Sequence, residues 1–279
     1  MLRRMLALAA GAMATMGMQA PTAPPAPAQR PEMALWRLDC GSARIADLDT
    51  FSDTYAYVGQ SKTLTASCYL IRHGDRYLLW DTGLPGALAD ATAPTPGGFS
   101  LRTRIRDQLA RIGIRPEQVT FVGISHYHGD HTGQAADFPH ATLLIGTPDW
   151  EVVRARPEEA AKFGPWIEGQ SRVEPVPGDH DVFGDGSVIM LSTPGHTPGH
   201  HSLLVRLPRT GAVLLTGDLY HFTENFERGG IPGFNTNRAD TLASMARFRE
   251  IARNLHARII IQHEPADIAK LPAFPEAAR

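Results

Sequence analysis

Three imidazoles and a carboxylate fall within the segment His126-Tyr127-His128-Gly129-Asp130-His131. Imidazole nitrogen and carboxylate oxygen are the usual donors to zinc and its first-row neighbours. Four donors this close, with a small Gly between them, exceed what one open catalytic site takes. The spacing points to two adjacent metals, with His126 and His128 on one and Asp130 and His131 on the other. The competing reading is a polar loop with chance histidines, and further donors downstream weigh against it.

Rigid elements must position such donors. Ser67 to Arg72 and Arg76 to Trp80 read as a hairpin turned at His73-Gly74-Asp75. Leu101, Ile105, Leu109 and Ile112 have helical spacing, with Ser100 as the expected N-cap and Gly113 closing the helix. Val119 to Ser125 reads as a strand running straight into the histidine segment, and Ala141 to Ile145 as another before a helix opened by Pro148. Val188 to Ser192, Ser202 to Leu207, Ala212 to Thr216 and Arg258 to Ile261 read as later strands. Arg238 to Leu255 reads as a helix with Leu242, Met245, Phe248, Ile251 and Leu255 on or near one face. Strand-rich halves with helices between them argue for packed sheets covered by helices.

Each further donor follows one of these strands: His196 in Thr193-Pro194-Gly195-His196-Thr197-Pro198-Gly199-His200, Asp218 in Thr216-Gly217-Asp218, and His263 in Gln262-His263-Glu264. Strand ends hold loops rigidly, so donors distant in sequence can converge there. His73, His140, His180, His201 and His256 lack any such setting and read as surface or structural residues.

The chain has 279 residues, 43% of them hydrophobic, and a net charge of -2. That is enough for one large core, and the balance of charge disfavours nucleic acid, whose phosphates demand Lys and Arg. The first residues differ in kind. Arg3 and Arg4 precede an apolar run from Met5 to Met18, and Ala26-Pro27-Ala28 offers small residues for cleavage. We expect residues 1–28 to be a signal peptide and lead-in and residues 31–279 a single domain, exported to a bacterial periplasm with no stable membrane association after signal removal. An uncleaved anchor is the rival reading. Cys40 and Cys68 are the two cysteines, either one disulfide or two buried thiols.

Together these residues resemble the metallo-β-lactamase superfamily: an H-x-H-x-D-H signature, a G-H-T-P-G-H segment, an Asp after a strand and a late His, with Asp81 of Trp80-Asp81-Thr82-Gly83 similar to the family's first, supporting aspartate. The match runs from about residue 34 to 268 with all motifs in order. The resemblance implies an α/β fold, a four-layer αβ/βα sandwich with a dinuclear site at one edge of the sheets. It places His126, His128 and His196 on the first metal, Asp130, His131 and His263 on the second, and Asp218 between them. His200 would support a ligand rather than bind. Two divalent ions are implied, zinc foremost, with Mn, Co or Fe as alternatives. Cations about 3.5–4 Å apart can lower the pKa of a shared water enough to supply hydroxide near neutral pH.

Asp218 and the N-terminal segments Leu38-Asp39-Cys40-Gly41, Phe51-Ser52-Asp53-Thr54 and Leu64 to Ile71 are similar to those of N-acyl-homoserine lactone lactonases. That likeness implies a quorum-quenching hydrolase opening the ring of a small lactone that carries an acyl chain. Tyr55, Tyr57, Phe222, Phe226 and Phe234 are candidates to line an apolar groove for the chain, and a homodimer is a possible assembly. Rival readings are a periplasmic metallo-β-lactamase, another lactone or thioester hydrolase, and a non-enzymatic metal-binding member. One departure stands out: those lactonases commonly carry a Tyr three residues after the bridging Asp, where this chain has His221, with Tyr220 one place earlier. His221, Tyr220 and Asp130 are the candidates for handling the proton.

Overall fold

The computed structural model describes residues 31–279 apart from 94 and 96, so the expected signal peptide and lead-in lie outside the described residues. β1 (Met33–Ile45) and β2 (Lys62–His73) are long antiparallel partners, and β2 turns back into β3 (Arg76–Trp80). The expected hairpin is present, with its first strand starting at Lys62 rather than Ser67. Side chains alternate across a strand, so β2 feeds two apolar layers. Tyr69 and Ile71 enter the layer between the sheets, while Cys68 and Leu70 enter the layer beneath the outer helices.

β4 (Phe99–Ser100), β5 (Phe121–Ile124), β6 (Thr142–Gly146) and β7 (Val173–Val176) complete a seven-stranded sheet in the order β4-β1-β2-β3-β5-β6-β7. The second sheet holds β8 (His180–Asp181), β9 (Val188–Ser192), β10 (His201–Leu207), β11 (Gly211–Leu215) and β12 (Arg258–Ile260), in the order β12-β11-β10-β9-β8. Leu78, Trp80 and Leu144 of the first sheet meet Met190, Leu203, Val205 and Leu215 of the second in a shared core. Ile105, Leu109, Trp150 and Val153 cover the outer face of the first sheet, and Met245, Phe248 and Ala252 that of the second. The result is the helix–sheet–sheet–helix order expected from the sequence, in one compact unit over Pro31–Arg279. Among the described residues no helix is long and apolar enough to cross a membrane.

Two local expectations fail for identifiable reasons. Ser100 does not cap a helix; it pairs with Ser42 in β4, and the helix spans Ile105–Arg111. Its first amide, Ile105 N, donates to Gln134 Oε1 at 2.9 Å, so a distant side chain does the capping. In the Arg238–Asn254 helix Leu242 is exposed, and Thr241, Ser244, Met245, Phe248 and Ala252 form the buried face. Of the two readings left open for the cysteines, the disulfide is the one formed: Cys40 and Cys68 join β1 to β2.

Candidate metal centre

The donors converge where both sheets end. β5 leads into Ser125 and His126, and the single turn Gly129–Thr132 presents Asp130 and His131. The turn after β9 brings in His196, and the ends of β11 and β12 bring in Asp218 and His263. Two groups result: His126, His128, His196 and Asp218, and then Asp130, His131 and His263. Within each, one donor atom per residue lies within 4.8 Å of all the others. Every residue assigned to a metal from the sequence is brought to this place.

Asp218 sits between the groups with one oxygen toward each. Its Oδ2 lies 3.3 Å from His196 Nε2 and 3.6 Å from His126 Nε2. Its Oδ1 lies 2.9 Å from His263 Nε2 and 3.2 Å from His131 Nε2. The fit to cations is seen in the nitrogens themselves. His126 Nε2, His128 Nδ1 and His196 Nε2 are 3.0–3.2 Å apart in pairs, and His131 Nε2 and His263 Nε2 are 3.2 Å apart. A tetrahedral ion held at about 2.0–2.1 Å by nitrogen spaces its donors about 3.3–3.4 Å apart. Asp218 Oδ1 is buried and makes no hydrogen bond despite its close imidazole neighbours. Lone pairs aimed at a common point ask for a positive charge there.

The outward nitrogens are fixed by partners that leave the inward ones free. His131 Nδ1–H donates to Asp81 Oδ2 at 2.9 Å, His263 Nδ1–H to the Thr65 carbonyl at 2.7 Å, and His196 Nδ1–H to Asn235 Oδ1 at 2.8 Å. His126 Nδ1 faces Ser125 Oγ at 3.0 Å. His200 is a support, as expected: its Nε2 accepts from Asp218 N at 2.9 Å, and burial drives its pKa down to about 3. Gly217 between them has φ +54°, and a Cβ there would stand 2.6 Å from His200 Nε2. Only glycine lets the backbone reach the imidazole at that turn.

Burial, joined by repulsion between neighbouring rings, holds His126 and His196 well below the ordinary histidine range and lowers His128. Burial acts in the same sense on His131 and His263, but Asp218 and Asp130 outweigh it and raise both. Burial would also raise Asp218, and His131, His263 and His221 overcome it, so the carboxyl is held well below its usual range. The centre thus keeps a carboxylate ionised and the first group's imidazoles neutral, the protonation states that bind metal.

The two candidates after Asp218 separate cleanly. His221 Nε2 lies 3.1 Å from Asp218 Oδ2, and its ring stacks on that of His263 at 5.9 Å. Tyr220 points the opposite way, into the core beneath the Arg238–Asn254 helix, with its hydroxyl 3.1 Å from Arg249 Nε. Extended backbone at Tyr220, just past the turn Gly217–Leu219, sends the two side chains to opposite sides, so of the pair His221 faces the donor groups.

A cavity of about 190 Å³ opens on the centre, walled by Ala43, Ile45, Phe51, Leu64, Phe99 and Phe234 opposite His128, Asp130, Asp218, His221 and His263. Of the five aromatics expected in an apolar groove, Phe234 alone lines it. Tyr55 is exposed, Tyr57 and Phe222 belong to a small buried cluster with Leu48, Phe51 and Leu64, and Phe226 packs on Tyr220. Sequence reasoning also missed Asn235, Gln262 and Glu264. Glu264 Oε2 accepts from Thr223 N at 2.9 Å and faces Lys62 Nζ at 3.3 Å, tying the His263 loop to the segment after His221. Its place directly after a candidate ligand was the available signal.

Comparison with known proteins agrees with this geometry. The sequence profile of the Metallo-beta-lactamase superfamily matches residues 62–263. The N-acyl homoserine lactonase AttM of Rhizobium radiobacter is 35% identical over 179 residues, 60% of this chain and 68% of that protein. Among solved structures, a quorum-quenching N-acyl homoserine lactone lactonase superposes with a TM-score of 0.76 at 26% identity, over 90% of this chain and 99% of the other. An N-acyl homoserine lactone hydrolase with the product N-hexanoyl-L-homoserine at its catalytic metal center superposes with a TM-score of 0.75 at 25% identity, over 90% of this chain and all of that one (100%).

Proposed function

The chain belongs to the metallo-β-lactamase superfamily, and from that premise we propose that it is a dinuclear hydrolase that opens the ring of N-acyl homoserine lactones. The observation that carries the reading is Asp218, which offers one oxygen to each donor group on the floor of a cavity whose other walls are apolar. Such a site suits a substrate with a polar ring at one end and an alkyl chain at the other. The relatives named for this activity support it.

His126, His128 and His196 would hold one ion, Asp130, His131 and His263 the other, and Asp218 would bridge them. Two divalent ions in place supply a polarised substrate carbonyl and a water acidic enough to attack it near neutral pH. The donor set of imidazole and carboxylate favours zinc, with Mn, Co or Fe as competitors. The rest falls to the chain. Water adds to the ring carbonyl carbon, the carbon–oxygen bond of the ring breaks, and the ring oxygen leaves as a hydroxyl. Asp130, the partly exposed carboxylate of the second group, would take the proton from the attacking water. His221 lines the cavity with its Nε2 3.1 Å from Asp218 Oδ2, and this imidazole would hydrogen-bond the substrate or protonate the departing oxygen. Phe51, Phe99, Phe234, Ile45 and Leu64 would receive the acyl chain.

An exported, periplasmic enzyme fits the same reading, and the Cys40–Cys68 disulfide supports it, because disulfides persist in oxidising compartments. A panel of lactone, thioester, β-lactam and phosphodiester substrates on metal-loaded protein tests the proposal. Acyl homoserine lactones should be turned over far faster than the rest, with longer chains lowering KM. Turnover of penicillins with none of lactones would refute it.

A further inference from the structure

Each donor group is assembled from both sheets, so something must hold the sheets in register at the metal edge. The first group joins His126 and His128 after β5 to His196 after β9, and the second joins Asp130 and His131 to His263 after β12. Behind the second group Asp81 spans the two sheets. It accepts from Ser125 N at 2.7 Å, Ser125 Oγ at 2.9 Å and His131 Nδ1 at 2.9 Å on one side, and from Gln262 Nε2 at 2.7 Å on the other.

A separate carboxylate stands in the equivalent place behind the first group. Asp149, in the first turn of the Thr147–Ala155 helix, is fully buried. Its Oδ2 accepts from Thr197 Oγ1 at 2.7 Å and its Oδ1 from Gly199 N at 2.7 Å. The turn that Asp149 holds is also bonded to the segment leading into His126, with His201 N donating to the Ser125 carbonyl at 2.8 Å. No Lys, Arg or His pairs with Asp149 among the described residues, and burial pushes its carboxyl up to about 6. An unpaired buried carboxylate is costly to keep, and here it fixes the His196–His200 turn to the helix that follows β6. The packing around it has no slack: a Cβ on Gly199 would lie 2.6 Å from Asp149 N, and one on Gly146 would lie 2.0 Å from Gly199 O.

We propose that Asp149 is a positioning residue that clamps the His196–His200 turn to the start of the Thr147–Ala155 helix, and so sets the metal affinity of the first group separately from that of the second. This rests on the dinuclear reading above. Asn cannot replace it, because its one acceptor oxygen and one amide group would face two donors, Thr197 Oγ1 and Gly199 N.

The test is a zinc titration of metal-free protein against a competing chromophoric chelator, with Asp149→Asn, Thr197→Val and Asp81→Asn beside the wild type. Asp149→Asn should weaken one binding step about 10–100-fold, the usual effect of removing a ligand's supporting partner, and leave the other step within twofold. Thr197→Val should weaken the same step to a smaller degree, and it decides the matter if Asp149→Asn does not fold. Asp81→Asn should weaken the other step. Asp149→Asn or Thr197→Val protein that binds both ions as the wild type does, or loses both steps equally, would overturn the clamp. Wild-type protein that binds fewer than two ions would overturn the dinuclear reading instead.

Discussion

Asp218→Ala should reduce kcat/KM for acyl homoserine lactones by at least ~10³-fold, beyond the 10²–10³ typical of losing one preorganised donor at a reacting centre. The size follows from its position. Asp218 is the residue whose two oxygens serve different groups, Oδ2 toward His126 and His196, Oδ1 toward His131 and His263. Its removal takes a charge from each metal and leaves clustered imidazoles with less to hold a cation among them. Metal content should fall from about two per chain toward one or fewer. The fold should persist, because Asp218 lies at the loop end of β11, outside the core between the sheets. Turnover, elemental analysis and thermal unfolding on the same preparation check this. A variant with full metal content and wild-type turnover would remove Asp218 from the bridging role.

The second large effect concerns the proton. His221→Phe should lower kcat on the order of 10²–10⁴-fold, the range for a positioned general acid. The ring shape is kept against Phe51 and Phe234, which lie 4.8 and 5.9 Å from it, so metal content should stay near two and KM should change little. His221→Tyr places a hydroxyl donor on a ring of similar size and should restore part of the rate. Tyr220→Phe is the control: its hydroxyl meets Arg249 and the Met245 carbonyl, so turnover should hold within about twofold while stability falls about 1 kcal/mol. Equal activity of His221→Phe and wild type would assign the proton to Asp130 alone.

The candidate metal ligands were legible in the sequence because each follows a strand, and strand ends converge when sheets pack. The residues that hold the ligands were not, for a physical reason. Asp149, Gln262 and Asn235 act across sheets or between loops, and no local period or spacing marks a contact made 50 residues away, as between Asp149 and Gly199. Asp81 could be seen only through its resemblance to a family motif. The choice between Tyr220 and His221 needed the direction of one turn after β11, which composition does not carry. The groove shows the same limit: Phe51 and Phe99 line it from separate elements, while Tyr57, chosen for its aromatic ring, has its hydroxyl accepting from Asn225 Nδ2 inside a buried cluster. Ser100 satisfied a helix-cap pattern and was claimed instead by pairing with β1. Local signals predict local structure well until a long-range partner offers more.

The central claim is that this centre opens lactone rings with two bound metals. The direct measurement is ring opening of an acyl homoserine lactone by one preparation before chelation, after removal of metal, and after return of measured amounts of zinc. Turnover should vanish without metal and return in full as the content approaches two ions per chain. Undiminished ring opening by metal-free protein, or none by protein carrying two ions, would contradict it.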